Sequence, residues 1–262
     1  MSLFGVARYR YMARRIVLQN FARRIRRSLV IGESLLIVAP HPDDETFGTG
    51  QLISAATRCD SLSPSRIDVV FLTSGNASHH GCCDVSDAEV ASKREATATR
   101  AAAILGLPES RLHFLRLRDG ELPHPGEAGF EDSCRQLAHV ISHIKPKQIF
   151  TTNPCEGWPD HVAAAELTRS ALGQSRLESE LYYFCVWFWI AVPLVTQVLR
   201  ADWSNALVLG DASTGSLKKQ AIRTYLEDRA ACGNPYCGIL PKELLRAADW
   251  GQELFFHVRK AR

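Results

Sequence analysis

The chain has 262 residues, 46% hydrophobic and 23% charged, the balance of a globular protein long enough to bury a substantial core. Its net charge of +3 is too small to argue for a nucleic-acid partner. No apolar run reaches the roughly 18 residues of a transmembrane helix. The longest, "FCVWFWIAVPLV" over 184–195, is short and contains Pro193.

The charge is unevenly spread. Residues 1–32 hold eight arginines and no acid. Within them, "RYRYMARRIVLQNFARRIRRSL" places Met12, Ile16, Val17, Phe21, Ile25 and Leu29 at helical spacing among the arginines. This predicts a basic amphipathic helix, packed on the domain or lying on an anionic membrane surface. The first expectation for the organisation is therefore an N-terminal extension over 1–33 and a single domain over 34–262. Arginines flank the N-terminal apolar residues, so the segment is a poor secretory signal. The eight cysteines show no paired CxxC motifs, which suits free thiols in a reducing cytoplasm. Cys232 and Cys237 in "CGNPYC" leave one disulfide open as an alternative. The sequon at Asn76 has no other sign of secretion beside it.

From residue 34, short apolar strands alternate with helices. Strands are predicted over 34–40, 67–73, 111–117, 147–154, 180–188 and 206–210. Helices are predicted over 45–56, 86–106, 130–144, 161–173 and 216–229, with Ser86 as an N-cap and Gly106 just past a helix end. Such alternation predicts an α/β fold: a Rossmann-like, mostly parallel sheet with helices on both faces. Ligands in such folds bind beyond the carboxyl ends of the strands. Three predicted strands are followed by chemically rich turns: "HPDDE", "TSGNASHHGCCDVSD" and "TTNPCEGWPDH".

In "VAPHPDDETFGTG", three consecutive acids follow an apolar strand and a histidine. Like charges so close repel, unless a cation joins them. His41 and Asp44, separated by two residues in a turn that opens a helix, can meet one divalent ion. His161 opens another helix after another strand and can supply the third ligand. Three N/O ligands with an open position suit a catalytic metal. Asp43, beside a ligand, is placed to take a proton. Glu45 then supports the helix start rather than taking part in chemistry.

These residues resemble the LmbE/PIG-L family of zinc-dependent N-deacetylases. "APHPDDETFGTGQLI" is similar to its opening motif, and "TTNPCEGWPDHVAAAEL" to its second. "SKREATATRAAAILGLP", "LRLRDGEL" and "SLKKQAIRTYLED" add support, so the resemblance spans about 34–230. It implies hydrolysis of an acetamido group on an N-acetylglucosamine-type sugar or glycoconjugate. His41, Asp44 and His161 would bind Zn²⁺ or another divalent metal, and Asp43 would be the general base. Asp160 would act beside it by orienting its surroundings. Arg94 matches an arginine of the family and would contact substrate or hold a loop.

Two departures stand out. Trp158 occupies the position of a histidine thought to assist the oxyanion or the leaving group, and tryptophan cannot exchange a proton. Three outcomes follow: another residue takes over, with His79, His80 and His124 as loop candidates, Asp43 moves the proton both ways, or activity is low or lost and the chain is a silent or weak glycan or metabolite binder. Trp158 and His124 are also candidates to bind substrate. Thr97 stands where a glutamate is common, with Glu95 nearby. Elsewhere, His79-His80 and Cys82-Cys83 are adjacent pairs rather than spaced ones, so "NASHHGCCD" reads as a pocket-rim loop rather than a second metal site. The aromatic run over 182–189 reads mainly as buried strand, with Trp187 or Trp189 able to stack on a sugar.

Overall fold

The computed structural model describes residues 3–58, 66–190 and 200–259, with side chains from residue 9. Residues 191–195 of the long apolar run, and the ends of the two expected segments at 1–2 and 260–262, lie outside the described residues.

Seven strands form one sheet: β1 (Ser34–Ala39), β2 (Arg66–Thr73), β3 (Leu112–Leu117), β4 (Gln148–Thr152), β5 (Glu180–Phe184), β6 (Ala206–Leu209) and β7 (Glu253–Val258). Their order is β3-β2-β1-β4-β5-β7-β6. The first five are mutually parallel. β7 runs antiparallel to both β5 and β6. The helices are α1 (Leu3–Ala22), α2 (Asp44–Thr57), α3 (Asp87–Ile104), α4 (Phe130–Ile144), α5 (Pro159–Ser175), α6 (Ala212–Glu227) and α7 (Lys242–Ala248).

Successive side chains of a strand point to opposite faces. In β1, Leu35, Ile37 and Ala39 enter one core with residues of α2, α3, α6 and α7. Leu36 and Val38 enter the other, with α4 and α5. β1 is therefore covered on both sides, which explains its unbroken apolar run. The chain leaves β1 toward β2 and β3 on one side, then returns to lay β4 on the other. That reversal beside β1 is where open α/β sheets bind ligands.

Two expectations need correction, two elements went unforeseen, and the cysteines follow the expected free-thiol state. The predicted strand over 180–188 ends at Phe184, and Trp187–Trp189 forms a 3-10 turn. The carboxylate of Glu156 accepts from the backbone N–H of Val186 and draws the chain off the sheet. α7 and β7 carried no sequence prediction; "ELFFHV" lacks the alternation of a half-exposed strand because the successive side chains of Leu254, Phe255 and Phe256 are all buried. On α1 the buried stripe is Leu18, Gln19 and Ala22, whereas Ile16 and Phe21 are exposed. Cys232 and Cys237 are both free thiols.

Residues beyond α1 run along the sheet edge. Leu29 N–H donates to Val208 O, and Val208 N–H to Arg27 O, at 2.9 and 3.0 Å. Arg15 pairs with the buried Glu243 of α7 at 2.7 Å. The N-terminal helix is thus packed on the domain's own core. No described helix is long and apolar enough to cross a membrane.

Candidate active site

The turn after β1 carries the centre of the site. His41 Nδ1 lies 3.1 Å from Asp44 Oδ2, and the other oxygen of Asp44 lies 3.3 Å from His161 Nε2. His161 is delivered by the first turn of α5, after β4. The structure thus brings the three sequence-predicted metal ligands into one group.

The surroundings of each ring decide which nitrogen is free. His161 is fully buried, and its Nδ1 pairs with the buried Glu156 at 2.6 Å. This holds the proton on Nδ1 and turns Nε2 toward Asp44. Nε2 is buried and has no hydrogen-bond partner. His41 Nε2 faces Asp119 and Asp160, each at 3.0 Å, which leaves Nδ1 toward Asp44. Two imidazoles, each tethered at the far nitrogen by carboxylates, are the arrangement that orients metal-binding histidines. A second cluster, His41 with Asp119 and Asp160, is also compact enough for an ion. It fits less well, because its oxygens are already used. Asp160 accepts from Gly120 N and Leu122 N at 2.8 and 3.2 Å, and Asp119 from Ala77 N at 2.5 Å.

The acids demand positive charge here. Desolvation alone would push His161 down, yet Asp44 and Glu156 raise it to about 9. Asp44 is driven the opposite way: burial opposes its charge, and His161 and His41 outweigh burial. Asp119 is likewise held at about 2 against the cost of burial, chiefly by His41.

Asp43 stands apart. Burial pushes its pKa up to about 7, Arg94 opposes and Asp44 reinforces the rise. Its backbone sits at φ 135° and ψ −35°, a strained conformation for a residue with a side chain. Several contacts hold it there. Glu45 accepts from the Asp43 N–H at 2.9 Å, and Tyr225 O–H donates to Glu45 at 2.7 Å. Arg94 is buried, pairs with Asp43 at 3.1 Å, and donates to Pro42 O and Gly75 O at 2.6 and 2.8 Å. Gly75, at φ 68°, passes so near that a Cβ would lie 2.4 Å from the Arg94 guanidinium. Of its two expected roles, Arg94 visibly fills that of loop holder, and it also reaches the cavity wall.

A cavity of about 410 Å³ opens over these groups, with His41, Asp43, Asp44, Asp119, Trp158 and Trp187 in its wall. Trp158 and Trp187 stack with ring centroids 4.8 Å apart and planes 8° apart. Ile239, Leu240 and Leu244 add an apolar side.

None of the three histidines expected to replace the one missing at Trp158 reaches this cavity. His124, expected to bind substrate, instead pairs with Glu166 at 2.7 Å outside the cavity wall. His80 pairs with Asp87 at the surface. His79 is buried against Tyr236. Two participants escaped the sequence reading. Asp119 was visible only as part of "LRLRDGEL". Glu156 lies within "NPCEGWPDH", five residues before its partner, with no signal to set it apart from a surface acid.

Residues 36–172 match the family described as PIG-L, GlcNAc-PI de-N-acetylase, and the chain belongs to that family. It is 34% identical over 134 residues to the diacetylchitobiose deacetylase of Thermococcus kodakarensis, covering 49% of this chain and 45% of that protein. It spans about half the length of the curated relatives it matches. Among solved structures, the N,N′-diacetylchitobiose deacetylase of Pyrococcus horikoshii has a TM-score of 0.59 at 19% identity, over 76% of this chain and 72% of that one. The 4-carboxy-2-hydroxymuconate hydratase of Pseudomonas putida has a TM-score of 0.61 at 17% identity, over 88% and 98%. These likenesses show the fold, and a hydratase among them shows that the fold alone does not name a reaction.

Proposed function

We propose that the protein is a metal-dependent N-deacetylase of an acetamido sugar, in which His41, Asp44 and His161 hold a zinc ion and Asp43 is the general base. The observation that carries this reading is the orphaned, buried Nε2 of His161. Glu156 fixes its ring, and it faces a carboxylate shared with His41. When bound, a divalent cation there polarises an acyl carbonyl and lowers the pKa of a coordinated water. The chain's own groups do the rest. Asp43 abstracts a proton from the attacking water. Its environment keeps it near the pH at which a carboxylate can both take and return a proton. With Trp158 at the cavity wall and no second histidine there among the described residues, Asp43 is the group that hands that proton to the departing amine. Asp160 and Asp119 position His41 by holding its Nε2–H. Trp158 and Trp187 offer a flat apolar platform for a sugar face, and Ile239 and Leu240 a surface for an apolar aglycone.

The relatives' names supply the substrate class, a 2-acetamido sugar in a glycoside or glycoconjugate. The test is acetate release from a panel of N-acetyl sugars, glycosides and lipid-linked derivatives, by zinc-loaded and by chelator-stripped protein. The reading predicts acetate in the first and none in the second. One observation favours a silent glycan binder: the absence of a proton-exchanging histidine at Trp158. That reading predicts binding of the same sugars with no acetate from either sample.

A further inference from the structure

The loop that follows β2 meets, across the molecule, the hairpin that follows α6. A ring nitrogen of His79 and the sulfurs of Cys83 and Cys232 lie within 4.8 Å of one another. Cys82 adds a further sulfur, 3.5 Å from that of Cys232. His79 is 3% exposed, and its buried Nε2 has no hydrogen-bond partner. None of these four residues lines the active-site cavity.

We propose that His79, Cys82, Cys83 and Cys232 form a second metal site, a thiolate-rich zinc centre separate from the active site. Three sulfurs and one imidazole are a donor set for zinc, not for magnesium or calcium. In a tetrahedral zinc site with bonds of about 2.3 Å, sulfurs sit roughly 3.8 Å apart. His79, Cys83 and Cys232 already lie within 4.8 Å of one another, and Cys82, 3.5 Å from Cys232, must rotate toward the other two to complete the set. Asn234 Nδ2 donates to the sulfur of Cys82 at 3.2 Å, a contact of the kind that stabilises metal-bound sulfur.

A disulfide is the competing use of these cysteines. It would consume two sulfurs and leave the third, and the unpartnered Nε2 of His79, unexplained, whereas a metal uses all four residues. Sequence spacing concealed the site, because Cys232 comes from about 150 residues downstream of Cys82. Cys232 sits at the tip of a tight hairpin closed by Ala230 N–H to Asn234 O and Gly233 N–H to Ala230 O.

The position suggests the role. The two loops also join through Ser78 Oγ, which donates to Tyr236 O at 2.8 Å. Ala77 and Ser78 on one loop, and Cys237 to Ile239 on the other, wall the active-site cavity. A metal between them clamps the cavity rim without touching substrate.

Cobalt substitution of the reduced 262-residue chain tests this independently of activity. A cobalt–thiolate charge-transfer band in the near ultraviolet is expected, with the amplitude of one thiolate-bound cobalt per chain, beside any cobalt taken up by the active site. The N/O ligands of the active site cannot produce such a band, so it persists in His161→Ala whether or not that centre is a deacetylase. It should disappear in Cys232→Ser, which alters an exposed hairpin tip, and remain in Cys134→Ser, whose thiol lies in the core beneath α4. Wild-type protein that titrates with cobalt, has all its thiols free by alkylation and mass spectrometry, and shows no such band overturns the proposal. So does a band that survives Cys232→Ser unchanged.

Discussion

Glu156 never faces the cavity, yet the chemistry of His161 depends on it. Its carboxylate fixes the tautomer that leaves Nε2 free, so Glu156→Gln should lower zinc affinity by roughly 10–100-fold with the fold intact. Competitive chelator titration measures this, and unchanged affinity would separate His161 from the metal. The protonation of His161 sets a further expectation. Its pKa of about 9 in the metal-free protein means that an entering ion must displace a proton. Zinc affinity should therefore rise with pH up to about 9, with protons released on binding. Asp43 gives the sign of the rate profile. As the proposed base it must be ionised to act, so activity should be lost as pH falls through its pKa. A neighbouring cation favours the charged form, so the acid limb should lie at or below about 7. The opening motif made Asp43, Asp44 and His41 legible in advance because all three sit in one turn. Glu156 and Asp119 were not, because their roles depend on contacts made only when separate strands converge.

At the scale of elements, the platform and the sheet carry separate predictions. Trp158 and Trp187 come from the N-terminal end of α5 and from the turn beyond β5, and they meet over the cavity. Trp158→Ala should raise KM roughly three- to tenfold with less effect on kcat, the scale of one aromatic stacking contact of about 0.5–1.5 kcal/mol. A fall in kcat alone would instead place the indole in the reaction itself. Outside the cavity wall, Lys218 of α6 and Glu253 of β7 are both buried and 2.7 Å apart. Glu253 also accepts from Gln51 N–H and Leu52 N–H on α2, which ties helix to strand. Glu253→Ala leaves an uncompensated buried ammonium and should cost about 3–5 kcal/mol, read as a lowered Tm. The parallel strands were legible because covering both faces demands continuous apolar runs. β7 was not, because only tertiary pairing reveals that a terminal "ELFFHV" inserts between β5 and β6.

For the molecule as a whole, the reversal of strand order beside β1 gathers the ends of β1, β3 and β4 into one cavity. That convergence turns motifs more than 100 residues apart into a single centre, and the alternating pattern of strands and helices foretold it. The N-terminal segment was less legible. Its arginines dominate the sequence, while the helix residues that bury it, Leu18 and Ala22, follow a stripe that the richer apolar positions obscured. Because this segment fills part of the core and runs along the β6 edge, deleting residues 1–32 should lower thermal stability and promote association through the bared strand. A truncated chain as stable and monodisperse as the full one would show the segment to be a separate appendage. The central claim, that this cavity hydrolyses an acetamido group with Asp43 as base, is tested most directly by quantifying acetate. The wild type and Asp43→Asn, matched in zinc content, would be given the same N-acetylglucosaminyl glycosides. The account predicts acetate and free amine in equal amounts from the wild type, and a rate lower by about 10²–10⁴ in the variant. Zinc-loaded wild type that releases no acetate, or equal rates from both proteins, would contradict it.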